Sequence, residues 1–233
     1  MKQRAHNEED KQRRRQAIVE AALELGAGTA YAEVTMADIA VRAGLAKGTV
    51  FLYFPTKEAL YLALLTDELA RWFDGVDARL DEGGRWSSGR VTRVITQSLA
   101  ERSMLAPLLA LLESTLERNI DYETALRFKR WLLDRTLATG ARLERRLPWL
   151  VAALEAGAGA RLILHTRALL TGLWQMASNS PVVAQVLALP DMTVFRVSFS
   201  REFEAAFSAL LRGDENTATA ATDPGAPNRR RQS

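Results

Sequence analysis

Cysteine is absent from the 233-residue chain, which removes disulfides, thiolate metal sites, iron–sulfur clusters and a cysteine nucleophile together. Histidine is nearly so: His6 and His165 are the only two, leaving little for an imidazole metal cage or histidine-based catalysis. Strand signals are almost missing. Long apolar runs are missing too, because the stretches at 105–112 and 162–177 are short or broken by Arg167 and Gln175, so no membrane span is expected. The N-terminus is polar and has no apolar core of a secretion signal. These absences lead to the expectation of a cytoplasmic protein with no cofactor, no metal and no membrane partner. Two glycine pairs, Gly26/Gly28 and Gly157/Gly159, start like a dinucleotide loop. Tyr31 and Leu162 stand at the third glycine positions, and no strand precedes either, so both fail as fingerprints. Catalysis is not expected.

What is present is an ordinary globular balance, 48% hydrophobic and 25% charged, enough for a sizeable core. The net charge is only +3, but Lys2, Arg4, Lys11, Arg13, Arg14 and Arg15 load one end and Arg229, Arg230 and Arg231 the other. A basic block of this kind hints at an anionic partner, although a solvated terminus is the commoner reason for one. Apolar residues recur at helical spacing nearly throughout, and breakers divide them into segments of helical length. The spacing predicts helices near 10–25, 35–43, 47–54, 57–80, 88–102, 107–118, 122–147, 158–177 and 194–212. Pro55, Pro148 and Pro181 read as stops, Pro107 as a first-turn proline. The composition divides the chain into a flexible basic arm at 1–9, a small unit at 10–56, a larger helical body at 57–213 and a disordered tail at 214–233.

The most informative stretch is 35–54. A short helix, a break at Gly44 and a second short helix make a helix-turn-helix. Ile39 and Ala40 give the first helix an inward face, Leu45 plugs the turn and Val50 anchors the second helix. Lys47, Gly48 and Thr49 open that second helix, the end that reaches base edges in a major groove and whose backbone N–H groups attract phosphate. A lysine there can bind guanine or a phosphate, a threonine can bond a base or touch a thymine methyl, and a glycine lets backbone approach the duplex. Spacing alone leaves a plain helical hairpin about equally open.

Residue identities carry the reading further. Tyr31, Thr35, Asp38-Ile-Ala40, Ala43-Gly-Leu45, Lys47-Gly-Thr49 and the run from Phe51 through Pro55 to Leu60 closely resemble the TetR family of bacterial transcriptional regulators, over roughly the first quarter of the chain. The resemblance implies an all-α fold: a small N-terminal helix-turn-helix three-helix unit joined by a long helix to a larger C-terminal ligand-binding and dimerisation body. It implies a homodimeric regulator of double-stranded DNA, most often a repressor released from a palindromic operator by a small molecule. Thr35, Tyr53 and Lys57 would hold phosphates, while Lys47, Thr49 and Leu52 would face bases, with Gly48 between them. Four positions depart from the family pattern. Phe51 replaces a frequent tyrosine, Ala46 a usual Ser/Thr cap, Gly26 a common core aromatic, and Ala30 a usual glycine. Tyr31, Phe51 and Phe54 are expected in the core.

Two C-terminal segments are apolar on more than one face, which calls for a second partner. Leu162, Leu169 and Leu173, with Phe199, Phe203 and Phe207, are expected in a four-helix dimer interface of the kind the family uses. Trp72, Met104, Leu108, Leu112, Phe128, Trp131 and Trp174 are the candidate ligand residues, suited to a mostly apolar or aromatic effector. The competing readings are a nonspecific architectural DNA binder and, less favoured, a helical enzyme.

Overall fold

The computed structural model describes residues 2–154 and 157–222, and among the described residues every regular element is helical. The helices are α1 (Lys2–Gly26), α2 (Met36–Arg42), α3 (Lys47–Tyr53), α4 (Lys57–Asp81), α5 (Ser88–Ala100), α6 (Leu105–Leu111), α7 (Tyr122–Arg146), α8 (Pro148–Leu154), α9 (Ala158–Ala177), α10 (Pro181–Leu187) and α11 (Phe199–Thr222). A π-helical turn (Leu112–Leu116) and a 3-10 turn (Glu117–Asn119) continue α6, and a second 3-10 turn (Pro190–Phe195) precedes α11.

Three sequence expectations are corrected. The prolines at 148 and 181 open α8 and α10 as well as ending what precedes them, because a first-turn residue needs no N–H donor and proline's fixed φ suits the position. The basic segment at 1–9 is helical from Lys2 onward, so the expected flexible arm is the start of α1. The expected tail at 214–233 is helical as far as Thr222; its alanines favour helix enough to offset the threonines. Residues 223–233 lie outside the described residues, as does Met1.

The chain forms two compact units that differ from the boundary expected at Lys57. One comprises residues up to Arg71 together with Arg102–Lys129, the other Trp72–Glu101 together with everything from Arg130. In the first unit, Ile18 and Ala22 of α1 are buried with Ile39 of α2, Val50 of α3, and Leu60, Leu64 and Leu65 of α4. Each such side chain removed from water stabilises the unit by about 1.5–3 kcal/mol before ordering costs are subtracted. Leu105, Leu108, Leu112, Leu116 and Phe128 are buried in the same unit. The buried Glu68 carboxylate lies 2.8 Å from Arg71 and 3.6 Å from Arg102, so its charge is compensated where it leaves water.

In the second unit, α11 packs on α5, α8 and α9. Helices α7 and α9 approach closely at two glycines: a Cβ on Gly159 would stand 2.0 Å from the Gly140 carbonyl oxygen. Gly159 N–H donates to Glu144 Oε1 at 2.9 Å, placing a carboxylate at the positive end of α9. Beside that crossing, Asp77 of α4 is buried yet accepts a hydrogen bond from Thr139 Oγ1 at 2.7 Å. Arg135 and Arg142 flank the same carboxylate at 3.5 and 3.6 Å.

Candidate nucleic-acid interface and ligand residues

The helix-turn-helix is set by two local devices. At the start of α2, Thr35 and Asp38 form a reciprocal capping box: Asp38 N–H donates to Thr35 Oγ1 at 3.2 Å, and Thr35 N–H donates to Asp38 Oδ2 at 2.9 Å. The Thr35 hydroxyl also donates to Asp38 Oδ2 at 2.6 Å. That hydroxyl hydrogen bond, reinforced by the backbone one, holds the Asp38 carboxyl below its ordinary value. At the end of α2, Leu45 N–H reaches Ala40 O at 2.9 Å and Gly44 N–H reaches Val41 O at 3.1 Å. Gly44 has φ +66°. This is a Schellman termination, in which a left-handed residue reverses the chain, and glycine takes that conformation without a Cβ penalty. Together the devices fix where α2 starts and where α3 leaves it.

Helix α3 buries Val50 alone. Lys47 and Gly48 are exposed, Leu52 is 85% exposed, and Thr49 and Tyr53 are half-buried. A Cβ on Gly48 would meet nothing within 4 Å, so the chain's own packing does not require glycine there. The N-cap Ala46 makes no side-chain cap bond, leaving the first N–H groups of α3 without a side-chain partner from that residue.

Phe51 departs from the expected core position. It is 41% exposed, and the Lys47 ammonium lies 6.0 Å from its ring centroid, one helical turn away. Phe54 is the buried one of the pair, and the Arg15 guanidinium stands over its ring at 5.2 Å. The exposed side of α3 therefore carries Lys47 and the Phe51 ring together, and Leu52 is exposed beside them in sequence. Sequence spacing could have placed Phe51 with Lys47, since the two are four residues apart.

Lys57 is turned inward. Its ammonium donates to the Tyr31 carbonyl and sits 3.9 Å from the Tyr31 ring centroid, and partial burial lowers its pKa. The Tyr31 hydroxyl in turn donates to Glu58 Oε1 at 2.9 Å. Burial first, then this bond to a carboxylate, pushes the phenol above its ordinary range. Tyr61 packs edge-on against Tyr31 at 4.8 Å, and burial pushes its phenol up to about 12. Tyr31, Glu58, Lys57 and Tyr61 thus tie the start of α4 to the segment before α2. Of the expected DNA-facing residues, Lys47, Gly48 and Thr49 share the N-terminal end of α3, Leu52 and Tyr53 stand at its other end, Thr35 caps α2, and Lys57 is held by Tyr31.

The expected ligand residues divide between the two units. Leu108, Leu112 and Phe128 are buried in the first, with Met104 half-buried and its Cε 3.0 Å from where a Gly26 Cβ would stand. Met104 thus packs against the side of α1 that Gly26 leaves open. The π-helical turn beginning at Leu112 adds a residue to its turn, a distortion found often at functional sites. In the second unit, buried Trp72 donates from Nε1 to Ser98 Oγ at 2.9 Å. Trp131 lies edge-on to Phe73, and Trp174 edge-on to Phe199.

The expected dimer residues also separate. Leu162, Phe203 and Phe207 are buried within the chain itself, so their stripe is this protomer's own core. Leu169, Leu173 and Phe199 remain half-buried. Phe199 and Phe203 line an open cavity of about 270 Å³ with Leu99, Ala100, Gln97 and Glu204, between α5 and α11; none of the expected ligand residues borders it. No helix among the described residues is long and apolar enough to cross a membrane.

Residues 18–64 match the family model described as bacterial regulatory proteins, tetR family, and residues 66–218 match the tetracyclin repressor-like C-terminal domain. Over 65 residues the chain is 31% identical to the fatty acid metabolism regulator protein of Bacillus subtilis, covering 28% of this chain and 34% of that one. Over 73 residues it is 37% identical to the HTH-type transcriptional repressor KstR of Mycolicibacterium smegmatis, covering 31% and 34%. The matched stretch spans about a third of the length of these curated relatives. Among solved structures, the fatty acid degradation regulator FadR from Bacillus halodurans aligns with a TM-score of 0.54 at 20% identity, covering 84% of this chain and 94% of that one. A tetR-family regulator from Mesorhizobium loti aligns at 0.50 and 19% identity, covering 87% and 95%. At those identities the structural likeness speaks for the fold.

Proposed function

The chain belongs to the TetR family of bacterial regulatory proteins, and from that premise we propose that it is a homodimeric, ligand-responsive repressor that binds a palindromic operator through α3. The observation that carries this reading is the exposed N-terminal end of α3, where Lys47 and Gly48 face solvent and nothing packs on Gly48, above a turn fixed by Gly44. Lys47 and Thr49 would read base edges, and the uncovered backbone at Gly48 would lie against the duplex. Thr35 and Tyr53 flank that end and would hold phosphates. Lys57 would join them by exchanging the Tyr31 carbonyl for a phosphate oxygen, the stronger acceptor of the two.

Two copies are needed because half-sites one helical turn apart, about 34–36 Å, demand two matched probes. Leu169, Leu173 and Phe199 remain available to the contact. The effector would be mostly apolar or aromatic, in keeping with the residue types at Trp72, Met104, Leu108, Leu112, Phe128, Trp131 and Trp174. Two of the similar proteins are named as regulators of fatty acid metabolism, so an acyl chain is the first class to try. Helix α4 runs unbroken from Lys57 to Asp81. Release follows only to the extent that the effector binds the non-matching setting better than the matching one.

The test is selection of bound genomic fragments by purified protein, followed by footprinting. A protected inverted repeat supports the reading; protection with no sequence preference overturns it in favour of an architectural binder. Lys47→Ala separates base reading from phosphate gripping. In the proposed role it relaxes preference at one operator position, with about 1–3 kcal/mol lost there, whereas uniform weakening across sequences means a phosphate contact only.

A further inference from the structure

Helix α10 is seven residues long and closed at both ends. Ser180 Oγ accepts the Val183 N–H at 3.4 Å, and Pro181 occupies the first turn. At the other end, the Arg196 guanidinium donates to the carbonyls of Leu187, Ala188 and Leu189 at 2.5, 2.8 and 2.8 Å. A helix this short is not stable in water by itself, and burial of a face normally supplies the difference. Yet no residue of α10 is buried. Val182, Val183 and Val186 are 71%, 45% and 46% exposed, and Leu189, Val194 and Phe195 just beyond are 51%, 82% and 63% exposed. Single exposed apolar residues are normal; this many on one short, pre-shaped segment marks a contact surface.

The charge pattern says what covers it. From Ala168 to Pro190 there is no charged side chain, a stretch that takes in the second half of α9 and all of α10. Nucleic acid and anionic lipid surfaces are recognised through Lys and Arg, which α10 itself lacks; the nearby Arg196 is engaged with the carbonyls that end the helix, and Asp191 of the following turn is anionic. A second copy of the chain fits. In a two-fold contact each patch meets itself, so any charge near the axis would face its own like; α10 has none to oppose, and the two charges beside it, Asp191 and Arg196, are of opposite sign. The same uncharged stretch contains the half-buried Leu169 and Leu173 and the 59% exposed Met176, joined to α10 through only residues 178–180.

We propose that α10 and the Pro190–Phe195 turn form a rigid arm that packs on a second copy of this chain, extending the dimer contact beyond α9. The inference rests on the homodimer reading above. Full-length protein carrying Val182→Glu and Val186→Glu is compared with the parent by sedimentation across a concentration range, with circular dichroism as the control for folding. The expected result is a dimer dissociation constant raised about 100-fold or more at unchanged helix content. Because the chain has no cysteine, Val186→Cys gives a single reporter, expected to react with maleimide at least about tenfold more slowly above the dimerisation midpoint than below it, as burial of the thiol requires. Equal dimerisation in the double variant, or equal labelling at all concentrations in a protein that does dimerise, overturns the arm and leaves the homodimer standing. A parent chain that stays single at tens of micromolar overturns both. Should the double variant fail to fold, the labelling alone decides.

Discussion

Replacing Gly48 with alanine separates a DNA-facing backbone from an ordinary helix position. The added methyl meets nothing within 4 Å in the free protein, so no strain is introduced. Alanine in place of glycine favours helix by up to about 1 kcal/mol, less in the first turn where Gly48 sits. For a chain of this size that corresponds to a melting temperature unchanged or higher by up to about 2–4 °C. Against DNA the sign reverses. A methyl between the α3 backbone and the duplex holds the helix off by more than an ångström and loosens the contacts on either side of it, at Lys47 and Thr49. Each well-made base contact is worth about 1–3 kcal/mol, so losing one weakens binding by about 5- to 150-fold. Fluorescence anisotropy with the selected operator at fixed salt, alongside thermal unfolding, reads both quantities. Tight operator binding by a stable Gly48→Ala protein refutes the idea that this end of α3 presses on DNA. Affinity and stability falling together would instead mean that glycine is needed for folding.

Three further outcomes are expected. Gly159→Ala forces a Cβ to 2.0 Å from the Gly140 carbonyl oxygen, with backbone on both sides and no side chain to yield; it should cost about 3 kcal/mol or more, seen as a lower denaturation midpoint in urea, and an unchanged midpoint contradicts the helix crossing. Ala46→Ser supplies the cap that α3 lacks and should raise stability by about 0.5–1 kcal/mol, measured as a small rise in melting temperature. Asp38 has its pKa lowered by Thr35, so its contribution is fully present above the unfolded carboxylate value, about 3.9, and is lost as pH falls through the lower folded value. Thr35→Val should move the Asp38 titration back up toward that ordinary value in a carboxyl NMR titration, and no movement would disprove the capping box.

The helix-turn-helix was legible because its determinants are local. Gly44 reverses the chain wherever it stands, Thr35 and Asp38 cap whatever helix follows them, and the spacing of Ile39, Leu45 and Val50 needs no distant partner to be recognised. Tyr31 and Phe54 lie half-buried and buried, much as their residue types suggest. Phe51 was not legible from type alone, because an aromatic beside a buried valine suits a core as well as a rim. Prolines 148 and 181 misled for a related reason: the same residue that stops one helix is pre-shaped to begin the next.

By itself, then, the sequence determined an all-α chain, the positions of its helix-turn-helix and the class of side chain each helix would bury. Only tertiary structure decided what covers each apolar face. Periodicity reports that Leu162, Phe203 and Phe207 leave water, not whether they do so inside one chain or between two. The packing of α11 on α5, α8 and α9 takes those three into the protomer and leaves α10, which carries no charged side chain, standing in solvent. The physical reason is that hydrophobic burial has no direction: the pattern fixes how much surface must be hidden, and the path of the backbone chooses where.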